Sequence, residues 1–173
     1  MKWAPDGPNP CDGTLGRDAA DLLSERGTLA GIRADYATAF VPLPGRDYRS
    51  ADLSTADLSR VRLQGYDLRC ANLRMATLRG ASFLWSDLRW ADLRGATLRQ
   101  ASLAASDLRH ADLGDTDLRG AEFGHAQDAA GWRGCNLGGA RLDGCDLRGA
   151  RFSNETIWPE DFDPIGSGAE LMP

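Results

Sequence analysis

Residues 91–100 read Ala91-Asp92-Leu93-Arg94-Gly95-Ala96-Thr97-Leu98-Arg99-Gln100, two copies of one five-residue phrase. Outward from this stretch, Leu or Phe falls at every fifth position without a gap from Leu53 to Phe123. A small residue stands two places before most of them, as at Ala51, Ala71, Ala76 and Ala91. Asp, Asn, Thr or Ser usually lies between the two, and Arg and then Gly often follow. A period of five matches neither the helical 3.6 nor the strand period of 2. An α-helix would turn successive leucines by about 140° and scatter them around its circumference. A flat strand would put them on alternate faces. A coil whose sides are each one repeat long gathers every leucine, with its preceding alanine, into a single interior.

The phrase resembles the pentapeptide-repeat family, written A-(D/N)-L-x-x, from Ala51 to about Phe152. The resemblance implies an all-β solenoid, a right-handed quadrilateral β-helix of about 20 residues per coil, with coils stacked at roughly 4.8 Å. The spacing itself gives one inward Leu per side. The expected core therefore includes Leu53, Leu73, Phe83, Leu93, Leu113, Phe123, Leu137 and Leu147. Stability in such a stack is close to a sum over neighbouring coils.

The phase slips after Phe123. Leu137, Leu142, Leu147 and Phe152 form a second block, and Leu137 follows Phe123 by fourteen residues, one fewer than three repeats. Continuing the first phase would bury Asp128, which is costly for an unpaired carboxylate. Residues 124–134 are thus read as a bulge, a small loop or a distorted side, with Trp132 near it. A loop on such a scaffold is also a natural recognition element.

Upstream, Leu15 to Arg26 reads as a short helix stopped by Gly27, and Thr28 caps a second through about Ala39. Pro42 and Pro44 end it. The chain then divides into an N-terminal extension and helical cap (1–47), the repeat coil (48–157, with the break at 124–134) and a C-terminal cap and tail (158–173). The stretch Thr156-Ile157-Trp158-Pro159-Glu160-Asp161-Phe162-Asp163-Pro164 resembles the ending found after the repeats in many bacterial members of the family. Trp158 and Phe162 are expected to plug that end of the coil. The Pro- and Gly-rich residues 164–173 are expected to be extended or frayed.

The formal charge of −5 is unevenly distributed. Residues 50–123 hold 10 basic and 10 acidic side chains, whereas residues 124–173 hold 4 and 8. A neutral centre argues against a direct nucleic-acid groove, which needs a surplus of cations on one face. No apolar run approaches the roughly 20 residues of a membrane helix, and MKWAPDGPNP lacks the apolar core of a secretory signal. The four Cys show no CxxC spacing, which fits a reducing compartment, and hence a cytoplasmic location, better than a disulfide framework.

Chemistry is not apparent. His110 and His125 have no nucleophile or ligand set around them. Cys70 and His110 fall two coils apart on one corner, about 10 Å, too far to share a metal. Ser86, Ser106, Cys135 and Cys145 fall at inward positions, so they read as core fillers and buried thiols. No catalytic residue, cofactor or metal is expected.

A coil of 20 residues maps the exterior. Three sides stack Arg on Asp: Arg69, Arg89 and Arg109 with Asp67, Asp87 and Asp107; Arg74 and Arg94 with Asp92 and Asp112; and a row of Arg79, Arg99 and Arg119. They read as solvated ion-pair lattices. The fourth side is almost uncharged at its middle and turns Leu84 and Trp85 outward beside Ala104 and Ala105, with Trp90 on the next corner. These five are the candidate partner contacts, since exposed aromatics on an uncharged patch suit an interface; cover by another part of the chain is the competing reading. The function expected is a non-catalytic, rigid scaffold for an unidentified protein partner. The alternative comes from family members that imitate duplex DNA, bind DNA gyrase and protect it from quinolones or toxins. The balanced charge of this coil and the lack of an evident C-terminal dimerisation helix argue against it.

Overall fold

The computed structural model describes Cys11, residues 47–128 and residues 131–173. The two helices expected between Leu15 and Ala39 lie outside the described residues, as does nearly all of the 1–47 extension.

The chain winds as a parallel β-solenoid with four sides per coil. Bridges join residues 20 apart in four rows: Asp47, Asp67, Asp87 and Asp107 on the first side; Asp52, Asn72, Asp92 and Asp112 on the second; Asp57, Thr77, Thr97 and Asp117 on the third; and Arg62, Ser82, Ser102 and Glu122 on the fourth. Each side contributes one short bracket of ladder bonds. Asp92 donates its N–H back to Ala71 O at 2.9 Å, and Leu93 donates forward to Asp112 O at 2.8 Å. Sides this short are stable only because coils above and below repeat the pairing.

The corners explain the fifth residue of the repeat. A four-residue turn closes each one, as where Ala96 N donates to Leu93 O at 3.0 Å. Its third residue has a positive φ, 66° at Gly95, as a type II turn demands. Glycine takes that conformation freely, but Trp85 and Trp90 adopt it too, at 63° and 57°.

All eight expected core residues are buried, with Leu93 between Leu73 and Leu113 in one column. The small polar residues at inward positions are satisfied. Ser86 donates its hydroxyl to Leu63 O, Ser106 to Leu103 O at 2.6 Å, and Thr116 to Leu113 O at 2.6 Å. Cys135 is fully buried and Cys145 half-buried, both as free thiols.

The phase break is a hairpin. β1 (Glu122–Phe123) ends on the fourth side, and β2 (His125–Asp128) then pairs antiparallel with β3 (Gly131–Gly134). The first side resumes at Asn136, which bridges Asp107, a step of 29 residues where the regular coil takes 20. The fourteen-residue gap is therefore one ordinary repeat plus a nine-residue excursion at a corner, and the side itself is undistorted.

Trp158 stacks on Phe162 (5.4 Å) and meets Phe123 and Phe152 at 5.2 and 5.5 Å, so an aromatic cluster packs against the lower core. Of the two forms expected for 164–173, extended or frayed, the structure shows an extended strand near its end. β5 (Glu170–Leu171) adds a parallel strand beneath β4 (Arg151–Phe152), extending the fourth side as β1-β4-β5. Met172 donates to Phe152 O and Ala169 is buried at the inward position. The final segment supplies backbone donors to an otherwise open sheet edge.

A correction concerns the cysteines, which were expected to be unpaired. Cys11 and Cys70 form a disulfide, closing a separation of 59 residues. Spacing in sequence carries no signal for such a pair, because the two residues meet only in the folded chain.

Candidate interaction face

The first three sides carry ion-pair lattices built from Asp-x-Arg units. Asp87 accepts the Arg89 backbone N–H at 3.2 Å, Nε at 2.8 Å and Nη2 at 2.6 Å, and Arg89 Nε also lies 3.7 Å from Asp107 on the next coil. The same fork recurs at Asp67–Arg69, Asp107–Arg109, Asp92–Arg94, Asp117–Arg119 and Asp146–Arg148. The Arg148 side-chain hydrogen bond lowers the Asp146 carboxyl to about 2. At Asp107, burial acts upward, and the bonds and charge of Arg109 outweigh it, leaving the carboxyl below its usual range. Such exposed pairs each contribute at most about 1 kcal/mol. Their larger effect is to neutralise the surface locally.

The fourth side differs, and the hairpin explains how. Leu84 and Trp85 are half-buried, not open. The Arg133 guanidinium, carried by β3, lies 5.6 Å from the Trp85 ring centroid, within cation–π reach. Ala105 is buried and its N–H donates to Gly124 O at 3.2 Å, so it shapes the corner without offering contact surface. Ala104 stays half-exposed beside Leu84.

Trp90 is not part of the same patch. It stands one side away, across the Asp87–Arg89 fork, with its ring stacked on His110 at 5.2 Å and Arg89 at 5.7 Å. Its indole Nε1 is buried and has no hydrogen-bond partner among the described residues. Gly139 closes this column, since a Cβ there would come within 2.7 Å of His110 Nδ1.

The residue that sequence reasoning left off the contact set is Trp132. It is 61% exposed on β3, paired across the hairpin with Gln127. His125 meets its ring edge-on at 4.6 Å and also contacts Glu155 at 3.1 Å. Gly134 lets β3 pass against the Glu155 backbone, because any Cβ there would overlap that carbonyl. The hairpin is thereby fixed at its base and presents Trp132 at its flank. The only sequence signal for it was a Trp inside the phase break.

Among the described residues no group of three or more His, Cys, Asp or Glu could hold a metal ion, and no helix is long and apolar enough to cross a membrane.

The family model for pentapeptide repeats matches in 8 copies, over residues 49–84, 86–124 and 132–154, more than half of the chain. The chain belongs to the pentapeptide-repeat family. The matched segments stop and restart around the hairpin. Among solved structures, a pentapeptide repeat protein from the Arabidopsis thaliana thylakoid lumen is 30% identical, with a TM-score of 0.54 over 61% of this chain and 68% of its own. One from Nostoc PCC 7120 is 32% identical, with a TM-score of 0.37, over 73% of this chain and 85% of its own. QnrB1, a plasmid-mediated fluoroquinolone resistance protein, is 22% identical with a TM-score of 0.39, over 71% of this chain and 78% of its own. No curated protein matches the chain.

Proposed function

We propose that this pentapeptide-repeat protein is a non-catalytic, rigid scaffold that binds a protein partner at the corner formed by Leu84, Trp85 and the hairpin. The observation that carries the reading is the hairpin itself. It leaves the coil in register on both sides, is pinned through Arg133 on Trp85 and His125 on Glu155, and holds Trp132 largely exposed. An aromatic side chain held on a fixed element loses little entropy on binding, which favours it as an interface anchor. The inward residues are committed to the core, and the Asp and Arg of three sides are largely committed to one another.

That mutual neutralisation supports the scaffold reading over imitation of duplex DNA toward gyrase, which would need a face of net negative charge. Purified chain added to a gyrase supercoiling assay, with and without a quinolone, should have no effect. For the compartment, the Cys11–Cys70 bond supports an oxidising environment over the cytoplasm expected from cysteine spacing.

The test is capture of partners from source-cell lysate by the wild-type chain, by Trp132→Ser and by the double variant Leu84→Glu/Trp85→Glu. Both variants should lose the same partner. Equal recovery by all three would refute this face.

A further inference from the structure

The Asp-x-Arg lattice is interrupted at Asn72-Leu73-Arg74 on the second side, where Arg74 reaches Asp92 on the next coil at 3.6 Å, and over two successive coils on the third. On the third side, Asp117 grips Arg119 and Asp146 grips Arg148, each at 2.6 Å. On the coils above, Thr77 and Thr97 replace the aspartates while Arg79 and Arg99 remain. Arg99 reaches only the next coil's Asp117, at 3.8 Å. Arg60 lies at the adjoining corner, its stem over Gly80, and Arg62 stands at the start of the fourth side. All four arginines are exposed, and among the described residues Arg60, Arg62 and Arg79 make no ion pair. Two carboxylates on the same two sides are engaged with other groups: Asp57 accepts the Ser59 N–H and hydroxyl at 3.1 and 2.7 Å, and Glu122 faces Arg151 at 3.6 Å. Around them the outward side chains are neutral: Gln64, Thr77, Ser82, Thr97, Gln100 and Ser102.

We propose that this edge, centred on Arg79 and Arg99, docks an acidic segment of a protein partner. The lattice shows what a guanidinium in this setting takes, namely a carboxylate in a two-bond fork, and none of the described residues provides one here. Arginine is the side chain suited to that bidentate geometry. A nucleic acid fits less well. Four arginines neutralise at most about four phosphates, against the six to ten of a typical phosphate-binding surface, and the chain carries −5 overall. The proposal rests on the scaffold reading only in making the partner a protein. The edge lies across the fourth side from Trp85, so the two surfaces can be separated by mutation.

The experiment is a fluorescence-anisotropy titration of a labelled peptide of alternating Glu and Ser with the full-length chain at low salt. The expected result is saturable binding that high salt weakens and that Arg79→Gln/Arg99→Gln reduces roughly five- to tenfold, as loss of two exposed charge pairs would. Arg109→Gln, taken from an intact fork, and Leu84→Glu/Trp85→Glu should each bind within about twofold of wild type. No binding by wild type, equal binding by the Arg79/Arg99 variant, or comparable loss in the Leu84/Trp85 variant would overturn the edge. Tighter binding of a labelled single-stranded DNA with the same arginine dependence would overturn it in favour of a phosphate site. Peptide binding that persists while the Trp132 and Trp85 variants still capture every partner would separate failure of the corner from failure of the edge.

Discussion

Replacing Leu93 with alanine probes the column directly. The side chain is 1% exposed and lies between Leu73 and Leu113, both fully buried. Three carbons are lost, worth about 2.4 kcal/mol at roughly 0.8 kcal/mol per buried methylene. The surroundings cannot close the gap cheaply. Leu73 N is bonded to Asp92 O and Leu93 N to Asp112 O, each at 2.8 Å, so the coil spacing is set by backbone hydrogen bonds and not by side-chain size. A cavity contribution therefore adds, and about 3–4 kcal/mol is expected, inside the range of about 2.7–5.0 kcal/mol for comparable Leu→Ala changes. The assay is urea unfolding followed by circular dichroism and tryptophan fluorescence, with coincident transitions as the condition for extracting a free energy. Arg94→Ala on the adjoining surface is the control and should cost about 1 kcal/mol or less. A loss below about 1 kcal/mol for Leu93→Ala would mean that the leucine column does not carry the fold.

Gly134→Ala should lift the hairpin from Glu155 and cost about 1–3 kcal/mol as an overpacked contact; greater quenching of Trp85 by acrylamide would accompany it, and unchanged stability would refute the close approach. For pH, Asp146 has a folded pKa of about 2, below its ordinary 3.8, because Arg148 binds the charged form. Its contribution is complete above the unfolded value and disappears as pH falls through about 2, so a carboxyl NMR titration midpoint near 4 would contradict the fork. Burial pushes the Cys135 thiol to about 12 and the Cys145 thiol to about 11. Both should resist alkylation near pH 8 in the folded protein and react after unfolding, and reduction should expose two further thiols from Cys11 and Cys70; rapid labelling of Cys135 in the native state would refute its burial.

The coil was legible because its signal is local and repeated. A leucine every fifth residue has one economical packing, and the Asp-x-Arg forks are two-residue chelates that can be read off adjacent letters. What escaped depended on distance or on single occurrences. Ala169-Glu170-Leu171-Met172 has no repeat before it, and its Pro- and Gly-rich setting left extended and frayed forms both open, yet an unpaired edge at Arg151–Phe152 was waiting for a strand. Cys11 and Cys70 are far apart in sequence and meet only in the folded chain. At the candidate face, Leu84 and Trp85 were recognisable as uncharged and aromatic, but the Arg133 cover was not, since the phase slip showed that residues had been added without showing where they went. Trp132 lay inside that same blind interval.

The nine-residue hairpin also marks the molecule mechanically. Each ordinary coil holds 20 residues and touches only its neighbours, so pulling on the two ends should peel the fibre one ring at a time, releasing about 70 Å of contour per event. The ring spanning Asp107 to Asn136 stores 29 residues, and its release would run to about 100 Å. A single oversized tooth in an otherwise even sawtooth would locate the excursion along the thread without any label.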